Sequence, residues 1–267
     1  MGFRRSIRNL NLKSHLILHT SRVDMIPQPI PYTPALHIED GIIIADLHIG
    51  IENELREHGV YAASKTYSMK EKLVKLLEEY KPMELFILGD VKHSIPSTPF
   101  QEKRELEEFF QTIQRYVERI HILPGNHDGG LEKLLPRGIE FHSSNGIVID
   151  DIGLLHGHSW PSEELMKTRI IVFAHTHPTI KLKDRMGLPV TEQCWVKGFF
   201  IEEKLREKYS SYNRNLQFLI MPSFNPLCGG VAVNEEELVG PMKNIINILE
   251  AEVYLLDGSL LGILRNL

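Results

Sequence analysis

The sequence predicts an α/β protein, and three observations support that prediction. Segments with helical periodicity alternate with strand-like apolar runs through the first two thirds of the 267 residues. These runs are almost continuous in Ile, Leu and Val, which suits strands that are covered on both faces. Hydrophobic residues make up 42% of the chain, and no composition break or internal repeat divides it. We therefore expect one domain that spans residues 1–267.

The first half of the chain predicts alternating strands and helices. Residues 35–46, "ALHIEDGIIIAD", read as a hairpin whose second strand begins at Gly41, and the four prolines within 25–34 indicate an ordered connection before it. The next predicted elements are a helix over 64–80, the strand "ELFILGD" (84–90), a helix over about 100–118 and the strand "RIHIL" (119–123).

The second half predicts mainly strands. Their segments are "GIVID" (146–150), "IGLLHG" (152–157), "RIIVFAH" (169–175) and "LQFLIMP" (216–222). In the tail, "AEVYLLDGSLLGIL", two apolar runs flank Asp257 and Gly258. An Asp-Gly pair between such runs is typical of a two-residue hairpin turn.

Five of the predicted strands end in carboxylate, amide or imidazole side chains. In chain order these are Asp46 and His48, Asp90, Asn126 and His127, His156, and His175 and His177. Ligand sites in α/β sheets lie just beyond the carboxyl ends of the strands, so residues that are distant in sequence can converge there. A lone histidine at a strand end is usually a satisfied polar residue, but five such ends in one chain indicate a common ligand.

The residue types indicate the kind of ligand. Carboxylates, imidazoles and one amide without a thiolate suit Mn²⁺, Fe, Zn²⁺, Co²⁺ or Ni²⁺ better than an all-oxygen Mg²⁺ or Ca²⁺ site. Seven candidate ligands exceed what one tetrahedral zinc ion requires. They fit two ions that share a carboxylate, an arrangement that clamps phosphate oxygens during an in-line displacement.

The ordered set resembles the calcineurin-like metallophosphoesterases, whose motifs run D-x-H, G-D, G-N-H-[DE], H and G-H-x-H. Here they read Asp46-Leu47-His48, Gly89-Asp90, Gly125-Asn126-His127-Asp128, His156 and Ala174-His175-Thr176-His177. The match covers residues 41–178 in the same order. It implies a four-layer α/β/β/α sandwich of two mixed sheets without a separate capping domain, with residues 179–267 completing the second sheet.

Several segments look like one branch of that superfamily. "ADLHIG" looks like the opening of the SbcD-type DNA-repair nucleases. "GDVKHS", "LLHGHSWPSEEL" and "MPSFNPLCGG" are similar to a small, mostly archaeal group of SbcD-related phosphoesterases. That group resembles the ligase-associated DNA-damage-response endonucleases, so the resemblance implies a role in DNA repair.

The resemblance also implies a role for each motif residue. One metal ion would take Asp46, His48 and His177, the other would take Asn126, His156 and His175, and Asp90 would bridge them. Mn²⁺ is the expected ion, and a metal-bound hydroxide would be the nucleophile. His127 would contact the phosphate and protonate the leaving oxygen, while Asp128 would orient the His127 imidazole.

Three positions near these motifs leave alternatives open. Lys92 and His93 stand where many relatives carry another acidic residue, and they would either bind a phosphate or face solvent. His158 competes with His156 as a ligand, and we favour His156 because it directly follows a strand, leaving His158 to contact substrate. The remaining histidines are interpreted as structural or surface residues: His15, His19, His37, His58, His121 and His142.

Three functions follow, in order of preference. The first is a phosphodiesterase or nuclease acting on DNA, with modest support from two basic stretches: Arg4, Arg5, Arg8 and Lys13, and Lys181, Lys183 and Arg185. The second is a phosphatase or phosphodiesterase for a small phosphorylated metabolite, which the net charge of −5 fits. The third is a non-enzymatic scaffold. Protein partners are unknown from the sequence.

The expected location is the cytoplasm. The chain contains no apolar run of the roughly 18 residues that span a bilayer, and no signal-peptide stretch. Gly2 and Ser6 match a myristoylation pattern of a kind that often occurs by chance. Cys194 and Cys228 form no CxxC pair and are expected to be reduced, buried thiols.

Overall fold

The computed structural model describes residues 26–267. The first sheet has six strands, and their order in the sheet is their order in the chain. They are β1 (Gln28–Pro29), β2 (Leu36–Ile38), β3 (Gly41–Ala45), β4 (Glu84–Leu88), β5 (Arg119–Ile122) and β6 (Ile139–Phe141). The first three strands are antiparallel, whereas β3 to β6 are parallel, because helical crossovers connect β3 to β4 and β4 to β5.

The helices that follow β3 and β4 cover the outer face of this sheet. They are α1 (Ile51–Glu57), α2 (Thr66–Tyr80) and α3 (Phe100–Ile113). Buried residues of α2 and α3, such as Leu73 and Phe109, form one core cluster with Ile42, Ile44 and the other strand residues that point outward. The alternation of side chains along each strand sends the remaining apolar residues to the opposite face.

The second sheet has eight strands and one helix on its outer side. They are β7 (Ile147–Ile149), β8 (Ile152–Leu154), β9 (Ile170–Phe173), β10 (Thr179–Lys183), β11 (Pro189–Phe199), α4 (Glu202–Lys208), β12 (Gln217–Ile220), β13 (Glu252–Leu255) and β14 (Leu260–Ile263). The order is β14-β13-β11-β12-β9-β8-β7, and β10 pairs with β11. The sheet is mixed, because β9 is parallel to both β8 and β12.

A shared apolar layer joins the two sheets. Ile43 and Phe86 from the first sheet pack there with Val172 and Trp195 from the second. A third cluster covers the outer face of the second sheet and includes Leu205 of α4. The prediction of a four-layer sandwich of two mixed sheets is therefore confirmed, and residues 26–267 contain no separate capping unit.

The structure departs from the predicted elements in several places. Five elements were not predicted because each is short or polar: β1, α1, β6, β10 and α4. The 11-residue strand β11 was also not predicted, since its first half is exposed and polar. Helix α3 ends at Ile113 rather than near residue 118. The tail hairpin is wider than a two-residue turn, because the Leu255 amide donates to the Ser259 carbonyl.

Among the helices of residues 26–267, none has both the length and the apolarity that crossing a membrane requires.

Candidate metal centre

The loops that carry the candidate ligands have an unusual backbone conformation. Asp46, His48, Asp90, His175 and His177 have φ angles of 53°, 39°, 46°, 66° and 47°. Residues other than glycine rarely adopt this left-handed region. Each instance costs roughly 1 to 3 kcal/mol and persists only where the surrounding structure imposes it. The concentration of such residues after three strands indicates a functional constraint.

Hydrogen bonds between neighbouring loops hold this conformation. The His48 amide donates to the Asp90 carbonyl at 2.7 Å, and the Asp46 amide donates to the Gly89 carbonyl at 3.1 Å. In the second sheet, the Ala174 amide donates to the His156 carbonyl at 2.8 Å. The loops therefore extend the strand pairing beyond the ends of the strands, which brings residues distant in sequence together.

Six of the seven candidate ligands lie in two groups that share Asp90. One group is Asp46, His48, Asp90 and His177, and the other is Asp90, His156 and His175, with the ligand atoms of each group within 4.8 Å of one another. The Asp90 Oδ2 atom lies 3.4 Å from both His48 Nε2 and His156 Nε2. A single carboxylate is thus placed between the two groups.

Four buried polar atoms of these groups lack the hydrogen bonds that buried atoms normally have. Both carboxylate oxygens of Asp46, and the Nε2 atoms of His48 and His177, are buried without a hydrogen bond. Unpaired buried polar atoms are rare because their desolvation is not compensated. Carboxylate oxygens and imidazole nitrogens directed at one point fit divalent transition-metal ions.

The pKa shifts differ among the imidazoles that surround the ionised Asp90 carboxylate. Burial lowers the pKa of His48 to about 2 and that of His175 to about 3. Burial alone would raise the pKa of Asp90, but His156 and His48 outweigh it and hold this pKa well below its usual range. Burial opposes protonation of His156, yet Asp90 and Asp46 raise its pKa to about 9.

Asn126 and His127 lie beside the groups. Asn126 is exposed. The His127 Nδ1 atom lies 2.6 Å from the His93 carbonyl. Since a carbonyl only accepts, Nδ1 carries the proton and Nε2 is the nitrogen left for other chemistry.

The prediction that Asp128 orients His127 does not agree with the structure. The Asp128 carboxylate instead accepts the amides of Gly125 at 2.8 Å and Val91 at 2.9 Å. Its oxygens are engaged by backbone donors, so it ties the turn after β5 to the loop after β4. The group that holds the His127 imidazole is the His93 carbonyl.

Lys92 and His93 do not face solvent. Lys92 is fully buried, and its Nζ donates to the Ser94 carbonyl. The His93 Nδ1 atom lies 3.0 Å from His48 Nδ1, and its Nε2 pairs with the carboxylate of Glu54 in α1. His93 therefore contacts the Nδ1 side of His48, and the Glu54 carboxylate in turn holds His93, as outer partners of metal-bound histidines do.

His158 and His156 differ clearly in position. The His156 ring is fully buried, and its Nδ1 pairs with the Leu88 carbonyl at 2.8 Å, which directs Nε2 toward Asp90. His158 is only half-buried, with its ring centroid 5.3 Å from that of His156. Its position permits contact with a ligand at the rim of the groups.

Two residues near the groups were missed by the sequence reasoning. Asn225 is buried, and its Nδ2 donates to the Leu47 carbonyl at 2.8 Å, which fastens the loop after β12 to the loop after β3. Cys228 lies near His48 and His177, with its sulfur within 4.8 Å of their ligand nitrogens. Both residues belong to the "MPSFNPLCGG" segment, so that segment was the available signal.

The second of the two basic stretches considered for nucleic-acid contact is only partly available. Lys181 Nζ pairs with the Glu235 carboxylate at 2.6 Å, which offsets its charge, whereas Lys183 and Arg185 are exposed. Trp160 packs against the outer core of the second sheet, with Lys208 over its ring. The other basic stretch, together with Gly2, Ser6, His15 and His19, lies outside the described residues.

Gly125 is expected to be irreplaceable for the shape of the site. A Cβ atom there would lie 2.0 Å from Asp90 Oδ1 and 2.4 Å from the Asp90 amide nitrogen. We expect Gly125→Ala to lower the free energy of unfolding by about 1 to 3 kcal/mol and to reduce metal content. Gly129→Ala is the matched control, because no atom lies within 4 Å of its added Cβ. Thermal unfolding and elemental analysis measure both effects, and equal behaviour of the two variants would contradict the prediction.

Comparisons with known proteins were made for the whole chain. Residues 42–210 match the model of the calcineurin-like phosphoesterase family. No curated protein sequence matches the chain significantly. A nuclease from Pseudomonas putida, nuclease MPE, has a similar structure, with 20% identity, a TM-score of 0.55, and coverage of 87% of this chain and 98% of that one. The Escherichia coli phosphoesterase YfcE shows 14% identity, a TM-score of 0.40, and coverage of 83% and 96%.

The part of the chain that matches the family model is the part that carries the candidate metal centre. The matched residues contain every candidate ligand, from Asp46 to His177, and they span more than half of the chain. The nuclease from Pseudomonas putida shares the fold over most of both chains. This protein therefore belongs to the calcineurin-like phosphoesterase family and is a metal-dependent phosphoric ester hydrolase.

Proposed function

We propose that this protein is a phosphodiesterase that cleaves nucleic acid, with DNA as the expected substrate. The observation that carries the proposal is the pair of carboxylate and imidazole groups that share Asp90. Two such groups suit the clamping of a phosphodiester between two metal ions. The segments that look like SbcD-related phosphoesterases favour nucleic acid over a small metabolite, and the nuclease activity in the name of the Pseudomonas putida neighbour is in keeping with that choice.

In the proposed site, Asp46, His48 and His177 would hold one ion, and Asn126, His156 and His175 would hold the other. Asp90 would be shared by the two, and Mn²⁺ is the expected ion. Bound divalent ions would supply positive charge at the phosphoryl oxygens and lower the pKa of a bound water molecule. Support comes from the buried atoms of Asp46, His48 and His177 that have no hydrogen bond.

His127 is the proposed proton donor to the leaving oxygen. Its Nδ1 is held by the His93 carbonyl at 2.6 Å, so Nε2 is the nitrogen that can exchange a proton with a substrate. His127 is half-buried, which leaves part of it accessible to solvent. The loop that carries His93 is itself held by the buried Glu102 carboxylate, which accepts the His93 amide at 3.1 Å.

A small phosphorylated metabolite is the second candidate substrate. The net charge of −5 and the pairing of Lys181 with Glu235 both reduce long-range attraction of a polyanion. The same metal groups would serve a monoester. A role in DNA repair and a cytoplasmic location stay predictions of the sequence.

Hydrolysis of bis-p-nitrophenyl phosphate and of p-nitrophenyl phosphate, each with Mn²⁺, separates the two candidates. We expect the diester to be cleaved, the activity to disappear with a chelator, and Mn²⁺ to restore it. Oligonucleotides should then be cleaved at a rate that falls with salt, since phosphate contacts release counterions. Cleavage of the monoester alone would indicate a metabolite phosphatase, and metal binding without turnover of either ester would contradict the enzymatic proposal.

A further inference from the structure

A third group of potential metal ligands lies outside the candidate metal centre. It consists of His121 on β5, Glu140 on β6 and His142 just after β6. The sequence analysis interpreted both histidines as structural or surface residues. We propose that these three side chains form a separate site for one divalent metal ion of the zinc type.

The register of two parallel strands brings the three residues together. His121 lies directly opposite Glu140 in the pairing of β5 with β6. Glu140 and His142 are two residues apart, which places their side chains on the same face of an extended chain. Ile120, Ile122, Ile139 and Phe141 occupy the opposite face and pack in the outer core. The site is therefore built by rigid sheet backbone.

The distances within the group lie near those expected around a shared ion, and one of the three falls within the expected range. The His121 Nδ1 atom lies 3.0 Å from His142 Nε2 and 3.3 Å from Glu140 Oε2, and the latter two atoms are 4.0 Å apart. Ligand atoms around a tetrahedral zinc ion, with bonds of about 2.0 to 2.2 Å, are separated by about 3.3 to 3.6 Å. The ring centroids of the two histidines are 5.2 Å apart, close to the roughly 5 Å expected for two imidazoles on one such ion.

The surroundings of His121 also suit a ligand. Its ring stacks on Phe86 with centroids 4.6 Å apart, which fixes its orientation. Its Nε2 is buried without a hydrogen bond, and the nearest carboxylate oxygen, Glu84 Oε1, is 3.9 Å away. If Nδ1 binds an ion, Nε2 carries the proton and faces that carboxylate, as outer partners of metal-bound histidines do.

The group is accessible to solvent, and its ligand types suit zinc. The side chain of Glu140 is 52% exposed and that of His142 is 22% exposed, so the group opens to solvent on one side. Two imidazoles and one carboxylate match the ligand set of zinc sites that retain an open coordination position. An ion there would link the edge strand β6 to β5.

The test counts metal ions in the full-length protein. Wild type, His142→Gln, Glu140→Gln and the control His37→Gln are dialysed against Zn²⁺ and examined by elemental analysis. His37 is a half-buried histidine on β2, in the same sheet but away from the group. We expect wild type and His37→Gln to bind one more Zn²⁺ per chain than either variant of the group, with diesterase activity in Mn²⁺ unchanged. Equal Zn²⁺ content in all four proteins would overturn the proposal.

A second measurement separates this site from the candidate metal centre. The same substitutions are placed in an Asp90→Asn background, and Co²⁺ is added as a spectroscopic probe. We expect the visible absorption of tetrahedral Co²⁺ in Asp90→Asn and Asp90→Asn/His37→Gln, and its loss in Asp90→Asn/His142→Gln. Identical spectra in all three would overturn the proposal, whatever the fate of the proposed phosphodiesterase activity.

Discussion

Asp90→Asn is expected to abolish phosphodiester hydrolysis. Asp90 is the carboxylate that both ligand groups share, and its Oδ2 lies 3.4 Å from an imidazole nitrogen of each group. Asparagine keeps the shape but removes the negative charge that would bridge two cations. Loss of several kcal/mol of metal-dependent stabilisation corresponds to a decrease of about 10³-fold or more in kcat/KM. Mn²⁺ content is expected to fall together with the activity.

The measurement is kcat/KM for bis-p-nitrophenyl phosphate, combined with elemental analysis and circular dichroism. Asp40→Asn is the matched control, because Asp40 is exposed in the turn before β3. The charge change is the same in both variants, so any difference reports the position of Asp90. An Asp90→Asn protein with wild-type metal content and activity would show that Asp90 does not bridge the ions.

His127→Gln is expected to reduce turnover by about 10²-fold to 10⁴-fold while the metal content stays constant. The reason is the position of its free Nε2, with Nδ1 committed to the His93 carbonyl. A general acid matters most when the leaving oxygen is basic. We therefore expect a larger loss with diphenyl phosphate than with bis-p-nitrophenyl phosphate, whose leaving group needs little protonation.

Loss of metal from His127→Gln would instead identify His127 as a metal ligand. The nitrogens of His48, His93 and His127 also lie within 4.8 Å of one another, so His127 could itself hold an ion. In that case His127→Gln would lose metal and would slow both esters equally. His58→Gln is the control, because His58 is an exposed histidine at the end of α1.

Local patterns explain why so much of the fold was predictable. The strands β3, β4, β5, β9 and β12 are mostly buried and rich in apolar residues, and the period of α2 is visible in its buried leucines. The elements that were missed are short or polar, and their conformation depends on pairing. Half of β11 is exposed, so its sequence lacks the apolar signal, and hydrogen bonds to β10, β12 and β13 determine that it is a strand.

The candidate site was also predictable only in part. The residue types of the ligands can be read from five short motifs, because metal chemistry restricts which side chains can serve. The contacts that join these residues to distant segments of the chain could not be predicted from the sequence. The link from Asp128 to backbone amides, the contact of the His93 carbonyl with His127, and the Asn225 bond to the Leu47 carbonyl all join distant segments.

The sequence by itself determined the α/β class, the motif residues and the family of chemistry, since each depends on residue type and short spacing. Only the tertiary structure decided that the His93 carbonyl holds His127, that Lys92 is buried, and that His121 and His142 meet Glu140. The physical reason is strand register and loop pairing. These depend on packing between whole sheets, and they bring together side chains whose separation along the chain carries no signal.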